Sequence, residues 1–155
     1  MVNDTAVAAE DIYIGDGGSN SLLVSSVDVK KPDQIVDNTM ILSQYVDIYV
    51  SESAFYLYQR KGYWDDVVTQ IAKFDLSDGK MNAVGAVSAN GRVTDTFAVN
   101  ECEGKLRVLT SGQNAVSGEA ENNLYLFDEN LNLTGKIEGL AQGEEIYAAR
   151  YLCLL

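Results

Sequence analysis

Hydrophobic and polar residues alternate along nearly the whole chain, in short runs rich in aromatic and β-branched side chains. Gly, Asn, Asp and Ser separate these runs, and the three- and four-residue spacing of an amphipathic helix is rare. The pattern predicts an all-β protein. The predicted strands are residues 11–14, 21–29, 34–42, 46–51, 54–59, 67–76, 80–88, 95–101, 105–110, 122–128, 132–138 and 145–152.

The strand pattern repeats weakly, with a period of about 50 residues. A repeat of this size with four short strands per unit is typical of β-propeller blades, because such a sheet buries its faces only against neighbouring blades. We therefore predict blades of four antiparallel strands, about three blades' worth in this chain. The corresponding segments are 54–58 and 105–110, 71–76 and 124–128, and 96–99 and 145–149.

The repeat assigns each strand to a blade, lettered A to D from the central axis outward. Residues 46–88 form one full blade with 46–51 innermost, and residues 95–138 form the next with 95–101 innermost. Residues 11–42 supply strands B, C and D of an incomplete first blade. Residues 145–152 are predicted to be the inner strand of a following or partner blade.

Two tight turns join strands within the predicted blades, at residues 75–80 and 128–132. Asp and Asn side chains hold such bends by bonding to nearby backbone. Residues 128–132 also alternate oxygen-bearing side chains as a calcium loop does. However, Leu133 replaces the required Gly and Gly139 the required Glu, so we predict a hairpin turn and no metal site.

The chain is acidic, with 23 acidic and 11 basic residues and a net charge of −12. This charge opposes binding to nucleic acid and to anionic membranes, so we expect neither as a partner. No apolar run approaches the length of a membrane helix, and we expect no membrane insertion. Residues 1–6 lack the basic and apolar pattern of a signal peptide.

Histidine is absent, which removes the usual general base and any Ser-His-Asp triad. Glycosidase chemistry needs only two carboxylates, but no pair stands out. We therefore predict no catalytic residues, no cofactor and no enzyme activity. Cys102 and Cys153 lie in apolar runs and are predicted to be buried free thiols rather than a disulfide.

Six segments of the chain have the sequence features of a known family: 74–76, 79–80, 100–110, 123–128, 135–141 and 143–151. They resemble the β-propeller domain family of secreted bacterial and archaeal proteins. The resemblance is densest in residues 68–151, and it also includes Val27–Val29 and Ile48–Ser51. It implies a propeller fold and an extracellular or cell-surface location, and it supplies no catalytic residues. The family's domain continues past Tyr151 into further blades, so we expect that this chain does not close a propeller alone.

The predicted function is a non-enzymatic binding or scaffold domain that recognises protein or glycan through its loop face. Loop 59–66 holds the only tryptophan and lies between two strands of the second blade. Aromatic residues on a polar loop are typical of recognition sites, although the pattern somewhat favours the alternative that Trp64 packs back over the blade edge. The predicted binding residues are Arg60, Tyr63, Trp64, Asp65, Arg92 and Arg150.

Two further hypotheses concern charged strand residues and assembly. An enzyme acting on an extracellular glycan would need Asp47, Asp95, Asn100 and Arg150 to converge on one pocket near the axis. Arg107 and Arg150 lie in apolar strands, where ion pairs with Glu101, Glu144 or Glu145 would lower the cost of burying their charge. Strand 145–152 is predicted to pair with strand 11–14 of a second copy, giving a homodimer by strand exchange.

Overall fold

The computed structural model describes residues 7–15, 19–44, 46–63, 66–114 and 116–153. Antiparallel β-sheet dominates these residues, as the alternation of the sequence predicts, with two short 3₁₀ turns at Ala9–Asp11 and Thr96–Ala98. The all-β prediction is confirmed. The strands are β1 Ile12–Ile14, β2 Asn20–Asp28, β3 Lys31–Ser43, β4 Asp47–Val50, β5 Ala54–Lys61, β6 Val68–Ser77, β7 Lys80–Asn90, β8 Val99–Cys102, β9 Lys105–Gln113, β10 Ala120–Phe127 and β11 Leu133–Leu140.

Strands β4 to β7 form one four-stranded antiparallel sheet (sheet 2), and β8 to β11 form another (sheet 3). In both sheets, strands adjacent in sequence are adjacent in space, which is the order of a propeller blade. The hairpin at 77–80 uses Asp78 and Gly79 at positive φ, the conformation that a two-residue turn requires.

The second predicted turn is also a hairpin turn. Asp128 accepts hydrogen bonds from the backbone N–H groups of Asn130 (2.9 Å) and Asn132 (2.8 Å). The Asn132 side chain and these backbone donors lower the pKa of the Asp128 carboxyl. The Asp128 carboxylate oxygens therefore stabilise the turn by accepting these hydrogen bonds.

The N-terminal sheet (sheet 1) differs from the predicted B, C, D succession. Its order is β1-β3-β2, with β1 parallel to β3 and Ile12 opposite Met40. The β2–β3 hairpin forms locally, whereas the three-residue β1 is placed by packing. Tyr13 of β1 meets the Phe74 ring edge-on at 5.1 Å, and this contact with sheet 2 holds β1 beside β3.

Strand β5 lies between the two parts of the hydrophobic core. Tyr56 and Tyr58 face sheet 3 and pack with Leu106 and Val108, while the alternate residues, such as Phe55, face sheet 1. Both faces of sheet 2 are therefore covered, which explains why residues 54–58 are continuously apolar and buried.

Glu101 of β8 links sheet 3 to sheet 2. Its carboxylate accepts hydrogen bonds from the hydroxyls of Ser51 (2.9 Å), Ser53 (2.5 Å) and Tyr56 (2.6 Å). Its backbone N–H donates to the Tyr49 hydroxyl at 2.9 Å. Partial burial opposes the charged form, but the three hydroxyl donors prevail and lower the pKa of Glu101.

Residues 145–152 do not form the predicted strand, because they make no β-pairing within the chain. The segment lies on the face of sheet 3 opposite sheet 2, where Arg107 contacts it. The Arg107 guanidinium stacks 5.0 Å from the Tyr151 ring and donates to the Leu152 carbonyl at 3.2 Å. The prediction that Arg107 pairs with Glu101 is wrong, because successive strand residues point to opposite faces and Glu101 faces sheet 2.

The cysteines are joined rather than free. Cys102 and Cys153 form a disulfide with their Cα atoms 6.0 Å apart, and Cys153 is exposed. The prediction of buried free thiols is therefore wrong. Apolar neighbours in sequence indicated burial, but the fold brings the end of β8 next to the end of the C-terminal segment.

Candidate functional site

The loop that joins β5 to β6 projects from one end of sheet 2. Gly62 adopts a φ of +81°, and Tyr63 beside it is 78% exposed. Trp64 and Asp65 lie outside the described residues, so the hypothesis that Trp64 is a recognition residue stays a prediction. Tyr63 is in the exposed position that a contact residue needs.

Two of the predicted binding residues, Arg60 and Arg92, line a single cavity of about 230 Å³, called here the seam cavity. Arg60 lies near the end of β5 in sheet 2, and Arg92 follows β7. Among the residues that the structure describes, neither guanidinium has a hydrogen-bond or ion-pair partner. The other lining residues are Val67, Ser111, Gly112, Gln113, Ala120, Asn122 and Glu145.

The backbone of Arg92 is fixed against sheet 3. Its N–H and carbonyl pair with those of Ser111, both at 2.8 Å. Gly91 has a φ of +88°, and a Cβ there would lie 2.9 Å from the Thr110 hydroxyl oxygen. The glycine therefore lets the crossing chain approach sheet 3 closely enough to bring Arg92 to the seam.

Thr69 and Thr110 clamp this crossing from both sides. The Thr69 hydroxyl donates to the Gly91 carbonyl (2.8 Å) and accepts from the Val93 N–H (3.1 Å). The Thr110 hydroxyl donates to the Asn90 carbonyl at 2.5 Å. Both threonines are buried, so these bonds form away from water and hold the backbone on either side of Arg92 in one conformation.

Asn122 sets the C-terminal rim of the seam cavity. Its fully buried amide donates to the carbonyls of Leu140 (3.0 Å) and Glu144 (2.9 Å), and its side-chain oxygen accepts from Ser111 (2.7 Å). These bonds place Glu145 beside the two arginines. The sequence offered little sign of this role, since an isolated Asn in a strand is also typical of an edge or a bend.

A second cavity, of about 420 Å³, adjoins the seam cavity. The two share Val67, Gly112 and Gln113 in their walls. The second cavity adds carboxamide side chains from Asn90, Asn114 and Asn123, and carboxylates from Asp66 and Glu121. Residues of sheets 2 and 3 contribute to the walls of both cavities.

A wider cavity, of about 650 Å³, lies between sheets 1 and 2. Apolar residues such as Tyr13, Leu57 and Phe74 dominate its walls. Its one charged lining residue, Lys73, is already bonded to the Glu129 carbonyl (2.7 Å) and to Asp75 (3.0 Å). The seam cavity thus has the stronger set of available polar groups.

The four residues proposed for an axial enzyme site do not share one position. Asp47 and Asp95 lie near Tyr58, where burial first and then their charges raise the pKa of the phenol to about 12. Asp95 also accepts from the N–H groups of Phe97 (2.8 Å) and Ala98 (3.1 Å), which starts the 3₁₀ turn and delays β8 to Val99.

Asn100 and Arg150 have partners elsewhere. Asn100 is on the other face of sheet 3, where its oxygen accepts from Arg107 Nε at 3.0 Å. Arg150 stacks 4.3 Å above the Phe97 ring and donates to the Ala149 carbonyl at 2.6 Å. Neither lines the seam cavity, so Arg150 is not brought together with Arg60 and Arg92.

Two absences hold within the part of the chain that the structure describes. No group of three or more His, Cys, Asp or Glu side chains is placed to hold a metal ion. No described helix is long and apolar enough to span a membrane.

The chain is similar to two archaeal proteins that carry no functional description. An uncharacterised protein of Methanocaldococcus jannaschii is 38% identical over 92 residues, which are 58% of this chain and 14% of that protein. One of Archaeoglobus fulgidus is 42% identical over 83 residues, which are 54% of this chain and 12% of that protein. The chain therefore spans only a small part of these relatives. No solved structure matches it significantly.

The family comparison agrees with the architecture described above. The sequence model of the beta propeller domain matches residues 1–153, which is nearly the whole chain. Sheets 2 and 3 have the four-stranded, sequentially ordered form of propeller blades. This chain belongs to the beta propeller domain family.

Proposed function

We propose that the chain is a non-enzymatic binding or scaffold domain of a secreted or cell-surface protein, which recognises protein or glycan through the seam cavity. One observation carries the proposal: Arg60 and Arg92 come from different parts of the chain and line the same cavity. Neither guanidinium has a partner among the described residues. Arginine is enriched among the residues that dominate binding energies, and an available pair in a concave site favours recognition.

The non-enzymatic character is favoured by the positions of the axial candidates. A glycan-cleaving enzyme would need Asp47, Asp95, Asn100 and Arg150 at one site. Asn100 is bonded to Arg107 on the far face of sheet 3, and Arg150 is stacked on Phe97. Among the described residues, one carboxylate, Glu145, lines the seam cavity itself, whereas glycoside hydrolysis ordinarily uses two.

The disulfide between Cys102 and Cys153 supports a location outside the cytoplasm. Disulfides form and persist mainly in oxidising compartments, because cytoplasmic reductants keep most thiols reduced. The net charge of −12 favours solubility of a surface domain.

Arrays of glycans and of secreted proteins, probed with the wild-type chain and a double Arg60→Ala, Arg92→Ala variant, test the proposal. We expect the double variant to lose affinity for any retained ligand by about tenfold or more, since interface arginines are frequent hot spots. Lys105→Ala is the matched control, because Lys105 is an exposed cation at the opposite end of β9. A ligand that binds the double variant as well as the wild type would contradict the proposal.

A further inference from the structure

The charge of the seam cavity indicates the chemistry of its ligand. The protein has only 11 basic residues against 23 acidic ones, yet two exposed arginines line this one small cavity. Among the described residues, Glu145 is the only carboxylate that lines this cavity. Two arginines and one glutamate give this lining a formal charge of +1, which a ligand anion would neutralise.

Two guanidinium groups suit an anion with paired oxygens, and a carboxylate is such an anion. A guanidinium presents planar, paired N–H donors that match the two oxygens of a carboxylate. Gln113 lines the same cavity, and its side-chain amide has no hydrogen-bond partner within the described residues. Val67 adds an apolar wall against which the carbon face of a ring can pack.

The adjoining cavity distinguishes a sugar chain from an acidic peptide. Its walls include the exposed side chain of Asn90, whose carboxamide can donate to and accept from hydroxyl groups. They also include the carboxylates of Asp66 and Glu121, which repel a second anionic unit. The two adjoining cavities thus favour one acidic unit followed by a neutral, hydroxyl-bearing one.

We propose, on the basis of the proposed function, that the seam cavity binds a single uronic-acid residue of an otherwise neutral oligosaccharide. The sugar carboxylate lies between Arg60 and Arg92, and its ring packs on Val67. The next sugar extends into the adjoining cavity. Tyr63, exposed on the neighbouring loop, is available to stack on a sugar face.

Calorimetric titration with two oligosaccharides that differ at one position tests the inference. One carries a single glucuronic acid and the other carries glucose in its place. We expect the wild-type chain to bind the acidic sugar about tenfold or more tightly than the neutral one, as loss of a bidentate charged hydrogen bond implies.

Single-site variants then assign that preference to the two arginines. Arg60→Ala and Arg92→Ala should each abolish the preference, while Arg60→Lys and Arg92→Lys should retain part of it, because lysine keeps the charge but loses the paired donors. Lys105→Ala should bind both sugars as the wild type does. Circular dichroism on each variant establishes that the fold is intact.

Each alternative result has a distinct meaning. Equal binding of the two sugars, with loss of both in the arginine variants, would overturn the uronic-acid inference and leave the proposed function standing. Tighter binding of an acidic peptide through the same arginines would overturn the choice of a glycan. Binding of the acidic sugar that survives in both Arg→Ala variants would contradict the inference and the seam site together.

Discussion

At the residue scale, single polar side chains hold neighbouring sheets in one arrangement. Glu101 of sheet 3 accepts three hydroxyl donors from sheet 2, and Lys73 of sheet 2 donates to the Glu129 carbonyl of sheet 3. Removing one partner from such a group leaves the others without hydrogen bonds in a partly dry interface. These residues therefore contribute to the alignment of the sheets as well as to stability.

Glu101→Gln should lower the free energy of unfolding by about 1–2 kcal/mol at neutral pH. Loss of a fully buried carboxylate would cost more, but water partly screens the Glu101 site. The pKa of Glu101 is lower in the folded than in the unfolded chain, whose value is near 4.5. Its stabilisation is therefore present above this pH and is lost as pH falls through the lower, folded value. Urea unfolding at neutral and acidic pH measures both effects.

The control for Glu101→Gln is Glu52→Gln, since Glu52 is exposed on the neighbouring turn. We expect Glu52→Gln to unfold like the wild type at every pH. If Glu101→Gln kept the same pH dependence as the wild type, the hydroxyl cluster would not be the source of the acid sensitivity.

Gly91→Ala should be more destabilising than Gly118→Ala, although both glycines have positive φ. A Cβ at Gly91 meets the Thr110 hydroxyl and the Ser111 carbonyl at 2.9 and 3.0 Å, whereas a Cβ at Gly118 meets nothing within 4 Å. The Gly118 variant thus reports backbone strain alone, about 1–2 kcal/mol. Equal losses in melting temperature would mean that the seam tolerates the added methyl group.

At the element scale, the C-terminal segment is held by side chains rather than by backbone pairing. Arg107 contacts Tyr151 and Leu152, and the Tyr151 hydroxyl donates to the Ala98 carbonyl at 3.0 Å. The Cys102–Cys153 disulfide ties the end of the segment to β8. An extended segment with few backbone bonds depends on such attachments to stay in place.

Reduction of the disulfide should release this segment without unfolding the sheets. Cross-links that close loops of this size typically contribute about 2–4 kcal/mol. Arg150 is exposed, so trypsin should cleave after it faster in the reduced protein. Mass spectrometry of the digest measures the rate. The control is the double Cys102→Ser, Cys153→Ser variant, which trypsin should cleave quickly with or without reductant. Slow cleavage of that variant would contradict the role of the disulfide.

At the scale of the whole molecule, the outer sheets leave apolar residues on their uncovered faces. Leu23 of sheet 1 is 41% exposed and Ile137 of sheet 3 is 51% exposed. In a propeller, each blade face packs against the next blade, as both faces of sheet 2 do here. The outer faces of sheets 1 and 3 are therefore suited to packing against further sheets.

We expect a homodimer in which residues 145–152 pair with residues 11–14 of a second copy. Residues 145–152 have no β-partner in the single chain, and the Cys102–Cys153 disulfide ties the end of this segment to sheet 3 of the same chain. The dimer should therefore be favoured in reducing buffer, where the segment is free to exchange. Light scattering after gel filtration should give twice 16.9 kDa. A particle of 16.9 kDa in both buffers would contradict strand exchange. In a second experiment, deletion of residues 145–155 should abolish the dimer.

The sequence by itself determined the strands of sheets 2 and 3, their order and their tight turns. These features depend on local chemistry: alternation selects the buried face, and Asp78-Gly79 and Asp128 fix the bends within a few residues. It also indicated Arg60, Tyr63 and Arg92 as surface residues, because they lie in loops between predicted strands.

Only the tertiary structure decided which of these residues meet. The parallel β1–β3 pairing, the Cys102–Cys153 disulfide and the unpaired segment 145–152 all differ from the predictions. Arg150 also lies apart from Arg60 and Arg92, with which it was grouped as a predicted binding residue. No sequence pattern indicated the hydrogen bonds of Glu101 with the hydroxyl groups of sheet 2. The alternation of apolar and polar residues indicates whether a side chain is buried or exposed. It does not indicate which distant segment the side chain contacts, because such contacts depend on how whole sheets pack.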